Sequence, residues 1–322
     1  MKAMPYIPTY EDLLTAADRI RGKVLQTPLL YSDPLSRKTG GRVYLKLESL
    51  QPGGSFKLRG ATNAVESLDA EGRRRGVIAA SSGNYGTALA LAARNAGIEA
   101  TIVLPDNAPQ VKVERIRNAG ARIIRFGAHY GDSEEKAAEI SRTGPILIHP
   151  FDDPLVVAGQ GTAALEIDEE FPGELDGVLV PVGGGGLLGG VALGMKSRRP
   201  KAEIIGVEPI AAPSLTAALE AGGPVAITPL PTCADGLSPR FTGKISFEVA
   251  RERVRNVYLL SEEELLDGVR YCFQELKLIA EPSGAAGVSA LLASKLDIRG
   301  KSMVVILSGS NLDRKYYPML AP

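Results

Sequence analysis

Four short stretches of this chain set nucleophilic, hydroxyl and amide side chains among glycines. The first, ESLQPGGSFKLRGA, delivers a single lysine, Lys57, just as a helical pattern begins. A primary amine attacks a carbonyl only when deprotonated. A helix start beside Arg59, together with partial burial, lowers its pKa, so Schiff-base chemistry is one reading and a solvated helix start is the other. The second stretch, AASSGNYGTALA, ends a strand in Ser81, Ser82, Gly83 and Asn84 ahead of a helix. Exposed amides and small side chains there form a nest for a carboxylate or phosphate oxygen, although the same residues also serve as ordinary caps. The third, VPVGGGGLLGG, runs a strand into Gly183, Gly184, Gly185 and Gly186 and then into a helix. Gly184, Gly186 and Gly189 satisfy the dinucleotide fingerprint, with Glu208 placed as a ribose-binding acid, so a nicotinamide-dependent dehydrogenase is the rival from another class. The same loop suits a single phosphate equally well. The fourth, VVILSGSNLD, ends a strand in Ser308, Gly309, Ser310 and Asn311, at the carboxyl end where α/β sheets bind ligands; a polar turn fits it too.

The segments that position these stretches alternate. Short β-branched runs at 43–47, 77–80, 101–104, 123–126, 146–149, 178–182, 203–207, 257–260 and 303–307 are separated by segments of helical period, after an opening helix at 11–21. That rhythm predicts parallel sheets flanked by helices. The units between Val77 and His149 suffice for one small open sheet, and the proline- and aspartate-rich segment 150–154 marks a boundary. The expected division is a small domain at 53–153 and a discontinuous large domain at 1–52 and 154–322, since the early strands must join one of the two sheets.

Composition removes other classes. With 44% apolar and 23% charged residues the 322-residue chain fills a core and is not disordered throughout. Lys plus Arg and Asp plus Glu both number 37, so no global field draws in nucleic acid or an anionic membrane. Cys233 and Cys272 lack the paired spacing of a zinc or redox site. Pro5, Pro8, Glu11 and Asp12 break up the apolar run an export signal needs, which predicts a cytoplasmic protein. The uncharged run 177–195 is crowded with glycine and reads as strand, loop and helix start rather than a membrane span. His129 and His149 read as structural.

In order and spacing, SFKLRGA, SSGNYG, GGGG and SGSN resemble the tryptophan-synthase-β-like, or fold-type II, pyridoxal-phosphate enzymes, closest in look to serine/threonine dehydratases and serine racemase. The resemblance covers nearly the whole chain, with further support from LQTPLL, AGQGTAALEI, ADGL and EPSGAAG. It implies two open, mostly parallel twisted sheets with the active site between the domains, a pyridoxal 5'-phosphate cofactor, an amino-acid substrate and a homodimer or homotetramer. Lys57 then matches the lysine holding the cofactor, with Phe56 beside the ring and Asn84 bonded to the ring hydroxyl. Gly183, Gly184, Gly185, Gly186 and Leu187 match the phosphate loop, Gly236 the glycine at the ring face and Ser308 the partner of the pyridine nitrogen. Ser81, Ser82, Gly83, Asn84 and Tyr85 match the substrate-carboxylate loop.

The implied chemistry is β-elimination. A serine hydroxyl at the pyridine nitrogen does not keep it protonated, which weakens the electron sink and favours early loss of a β-hydroxyl. Lys57, once displaced by substrate, takes the Cα proton, the cofactor phosphate protonates the departing hydroxyl, and the aminoacrylate product hydrolyses to a 2-keto acid and ammonia. Ser82, on the other face of Cα, makes racemisation an alternative, and β-replacement is another. Tyr85 stands where the dehydratases carry histidine, and Arg240 adds a cation near the pocket mouth, so L-serine, L-threonine, hydroxyaspartate and phenylserine all stay open as substrates. The cation site of the racemases maps onto Glu208, Ala212 and Ser214, without its second carboxylate, and no bound metal is expected.

Overall fold

Ten strands sort into two sheets in a computed structural model that describes residues 5–320. Residues 1–4 and 321–322, at the two ends of the expected large domain, lie outside the described residues. The six-stranded sheet runs β1 (Leu29–Tyr31), β2 (Arg42–Lys46), β10 (Ser302–Ile306), β7 (Gly177–Pro181), β8 (Glu203–Pro209) and β9 (Val254–Leu260). The four-stranded sheet runs β5 (Arg122–Arg125), β4 (Ala100–Leu104), β3 (Val77–Ala80) and β6 (Ile146–Leu147). Every neighbouring pair is parallel except β1 with β2. The strands before Gln51 therefore do join the later strands.

Helices fill the crossovers. The early strands accompany α1 (Tyr10–Ile20) and α2 (Asp33–Thr39). Around the smaller sheet lie α3 (Lys57–Glu66), α4 (Ala70–Arg75), α5 (Asn84–Ala96), α6 (Gln110–Asn118) and α7 (Tyr130–Ser141). The rest are α8 (Pro154–Glu170), α9 (Gly186–Arg198), α10 (Ser214–Ala221), α11 (Lys244–Arg253), α12 (Glu262–Gln274) and α13 (Pro282–Leu292). The boundary expected near Asp153 is a helix start: the Asp153 carboxylate accepts from the amides of Leu155 and Val156, and Pro154 holds the first position. Among the described residues no helix is long and apolar enough to cross a membrane.

The central strands read as continuous apolar runs because both faces of the larger sheet are covered. Val178 and Val304 face the cluster under α8 and α9, while their neighbours Leu179 and Val305 face the cluster under α12 and α13. In this sheet β7 and β10 are adjacent, yet the chain leaves them toward opposite sides, which opens a crevice at their carboxyl ends. The smaller sheet has the same reversal between β3 and β6.

Two contacts fix α3 between the halves. A Cβ on Gly159 would lie 2.6 Å from Gly60 Cα, so α8 and α3 meet backbone to backbone and neither glycine tolerates a side chain. Next to that crossing lies a buried ion cluster. Arg59 donates to both Glu48 oxygens (2.8 and 2.7 Å) and to both Glu166 oxygens (2.6 Å each). Lys46, fully buried on β2, reaches Glu166 at 2.7 Å and the Thr27 carbonyl at 2.6 Å. Burial pushes the Glu48 carboxyl up, but the Arg59 guanidinium overcomes it and holds the group below the usual carboxylate range. An unpaired carboxylate here is costly, so Arg59→Ala is expected to lose about 3–5 kcal/mol of unfolding free energy in urea titrations. Glu48→Gln combined with Arg59→Met is expected to lose clearly less, because the fully buried Glu48 is no longer left as an unpaired charge and Glu166 keeps Lys46.

Candidate active site

Lys57 opens α3, and a backbone tether sets where it opens. The Phe56 amide donates to the Ser308 carbonyl (3.1 Å), and the Ser310 amide to the Gly54 carbonyl (2.8 Å), so the turn before α3 lies along the carboxyl end of β10. The half-buried Lys57 amine donates to the Pro150 carbonyl at 3.4 Å and lies 5.0 Å from the Phe56 ring centroid and 6.0 Å from that of Tyr85. Burial alone lowers its pKa from 10.5 to about 8. The expected help from Arg59 is absent. Residues two apart on a helix point to opposite sides, and Arg59 faces away into the ion cluster, where its charge is neutralised.

The glycine loop joins β7 to α9. Gly185 adopts φ +88° at the cap of α9, and a Cβ there would stand 2.5 Å from Ser246 Cβ. The loop and the first-turn amides of α9 therefore present backbone N–H groups without side chains in the way. Leu187 offers only its amide, since its side chain is buried in the core. Beside the loop sits the Ser246 hydroxyl, buried without a hydrogen-bond partner. An orphan donor against amides at a helix start matches the acceptor oxygens of a phosphate, so the residues present fit the cofactor's phosphate group. Sequence reading missed Ser246, which lies within α11 and carries no local signal.

Gly236 sits directly against this loop: a Cβ on Gly183 would come 2.9 Å from the Gly236 carbonyl, and the Gly236 amide donates to Ser283 Oγ at 3.0 Å. Ser308 follows β10 on the neighbouring strand, buried, with its hydroxyl donating weakly to the Ser283 carbonyl at 3.4 Å.

The start of α5 brings the other half. Ser81 is occupied, its Oγ accepting from the amide of the cap residue Gly83 and from the first-turn amide of Gly86 (3.2 and 3.1 Å). Ser82 is half-buried and Gly83 exposed, leaving this turn open to a ligand. Tyr85 is only 3% exposed and packs into the core of the smaller sheet; its hydroxyl has no partner, and burial raises its pKa well above that of a free phenol. Asn84 reaches across the cleft, donating to Glu281 Oε1 at 2.5 Å and accepting from Asn311 Nδ2 at 2.8 Å. Sequence singles out neither partner as a site residue, although it marks the stretches EPSGAAG and SGSN that carry them.

Glu208 has the opposite fate. Its buried carboxylate accepts from the Leu215 and Thr216 amides (2.7 and 3.0 Å) and the Thr216 hydroxyl (2.8 Å), so it caps α10 and is not presented to a ribose.

The buried ammonium makes the cofactor-free protein pH-sensitive. Below about pH 8 Lys57 is charged in both states and the fold bears the full burial cost. Between about 8 and 10.5 the unfolded chain binds the proton and the native one does not, so stability rises with pH. Lys57→Met is therefore expected to melt a few degrees higher than wild type at pH 7 in thermal scans of the cofactor-free protein, with the gap closing above about pH 10.

Comparison with known proteins places this geometry. The family profile described as pyridoxal-phosphate dependent enzyme matches residues 20–309. The chain is 44% identical over 306 residues to an L-threonine ammonia-lyase of Thermotoga maritima, covering 95% of this chain and 76% of that protein. It is 41% identical to an L-threo-3-hydroxyaspartate ammonia-lyase of Saccharomyces cerevisiae, covering 98% of this chain and 96% of that one. The structure of maize serine racemase superposes with a TM-score of 0.91 at 36% identity, covering 98% of this chain and 97% of that one. A lysine at a helix start, a glycine-lined phosphate cradle and a profile match over almost the whole chain agree: this protein belongs to the pyridoxal-phosphate-dependent enzymes of fold type II.

Proposed function

We propose that this protein eliminates water from a β-hydroxy amino acid and releases a 2-keto acid and ammonia, with residues 1–52 and 154–322 as the cofactor-binding half and 53–153 as the opposite half of the cleft. The observation that carries the reading is the Lys57 amine, half-buried without a carboxylate partner and with a pKa of about 8, at the junction of the two halves. The ammonia-lyase names of the Thermotoga and yeast relatives support it.

Pyridoxal phosphate, when bound, supplies the electron withdrawal that acidifies Cα. Lys57 would hold it, with Phe56 alongside. Gly183, Gly184, Gly185, Gly186, Leu187 and Ser246 would take the phosphate, Gly236 would lie beside the ring, and Asn84 and Ser308 would serve the ring's oxygen and nitrogen. The amides at the start of α5, at Ser82, Gly83 and Asn84, hold the substrate carboxylate. Once the substrate's amine displaces it, Lys57, uncharged in a useful fraction near neutral pH, takes the proton from Cα as the Cα–H bond breaks. The β-hydroxyl departs with a proton, so that the net loss is one water from Cα–H and Cβ–OH, and the freed enamine takes up water to give keto acid and ammonia. Ser308 would offer the ring nitrogen a neutral hydroxyl and no carboxylate, which would weaken the ring's electron withdrawal and favour elimination.

Cofactor-loaded protein reduced with borohydride and digested is expected to carry the pyridoxyl group on the peptide containing Lys57; an unmodified peptide from fully loaded protein overturns the reading. Incubated with L-serine, L-threonine, threo-3-hydroxyaspartate and phenylserine, it is expected to release keto acid from at least one of them without added thiol. Lys57→Ala is expected to cut that rate by about 10²–10⁴-fold or more. Chiral chromatography of the remaining amino acid reads out racemisation through Ser82 in the same assay.

A further inference from the structure

Asn84 reaches from the smaller half across the cleft to the larger one, and its amide is held in one orientation by two neighbours of opposite polarity. A carboxamide has two N–H donors and one carbonyl acceptor. The Asn84 carbonyl accepts from Asn311 Nδ2 at 2.8 Å, and one of its N–H groups donates to Glu281 Oε1 at 2.5 Å. Asn311 is itself fixed: its Nδ2 also donates to the Gly53 carbonyl at 2.8 Å, and its side chain fills the space where a Cβ on Gly54 would stand, 2.8 Å from Asn311 Oδ1. Glu281 is buried at the start of α13, with Asp235, Arg115 and Lys112 as the charged groups acting on it. A flip of the Asn84 amide would set its carbonyl against the Glu281 carboxylate and its NH₂ against the NH₂ of Asn311. Both contacts are repulsive, and both are part-buried, where unmade hydrogen bonds cost more than they do in open water. The second N–H of Asn84 has no protein acceptor among the described residues.

We propose that Asn311 and Glu281 are positioning residues that hold the Asn84 carboxamide with this remaining N–H directed at the cofactor's ring oxygen, so that Asn311 governs the cofactor's electronic state without touching it. The inference rests on the proposed role of Asn84 and adds the device that enforces it. A donor at the ring oxygen stabilises its anionic form, and a carbonyl turned there would oppose it.

Asn311→Asp replaces the donor by an acceptor of nearly the same shape, and Asn311→Ala removes it. In cofactor-loaded protein both are expected to lower the ratio of the long- to the short-wavelength cofactor absorption band at least threefold. Both are also expected to weaken pyridoxal phosphate binding to the apoprotein at least tenfold, with melting temperatures within a few degrees of wild type. Glu281→Gln, which keeps a carbonyl acceptor for Asn84, is expected to leave the band ratio near wild type, while Glu281→Leu lowers it. In an Asn84→Ala background the Asn311 substitutions are expected to add nothing to the spectral change. The proposal is overturned by Asn311 variants with wild-type band ratio and cofactor affinity, or by Asn311 substitutions that change the spectrum equally with Asn84 intact and in the Asn84→Ala background. If wild type carries the Lys57 adduct and the Asn311 variants are silent, only the positioning role falls; if wild type carries no adduct, the functional reading falls with it.

Discussion

Two cations two residues apart on α3 meet opposite electrostatic surroundings, and the site depends on that contrast. Arg59 is given two carboxylates and a threonine hydroxyl, so it stays charged and anchors the helix. Lys57 is given a carbonyl and two aromatic rings, so nothing offsets the cost of its charge. Had a carboxylate faced Lys57, its pKa would have moved the other way and the amine would have been lost as a nucleophile. The ion cluster thus serves the chemistry by keeping anions on the far side of the helix.

The two sheets contribute in the same manner. Each presents the carboxyl ends of strands at a reversal of strand order, and the two reversals face one another across α3 and the start of α5. The larger sheet brings the glycine loop, Ser308 and Glu281, and the smaller one brings the turn at Ser82 and Asn84. Hydrogen bonds from Phe56 to Ser308 and from Asn311 to Asn84 are among those that join the halves at the cleft. The nucleophile therefore belongs by packing to one half and by backbone tether to the other.

Much of this is legible in the letters. The central strands β3, β7 and β10 show as nearly continuous apolar runs because both their faces are buried, and the glycine loop and the two serine-rich turns mark themselves by composition. The three-residue edge strand β1 leaves no such trace, being short, antiparallel and half-exposed at Leu30 and Tyr31. Nearness in sequence makes Arg59 look like a neighbour of the Lys57 amine, but it says nothing of which side of a helix a charge faces until its partners are known. The place of Tyr85 in a motif points it at the substrate; the fold packs its ring into the core of the smaller sheet and at the same time sets it 6.0 Å from the Lys57 amine. Ser246, Glu281 and Asn311 matter through contacts formed across long stretches of chain, which no local pattern encodes.

The placement of β10 has a consequence for biogenesis. It is the last strand in chain order, yet it lies in the middle of the larger sheet, between β2 and β7, and its end supplies the anchor for the turn before Lys57. While the polypeptide is being synthesised, β2 and β7 each carry an unpaired edge until this strand emerges and inserts between them. The nascent chain thus passes through a stage that invites mispairing with other chains, and the lysine reaches its working position only once β10 is in place.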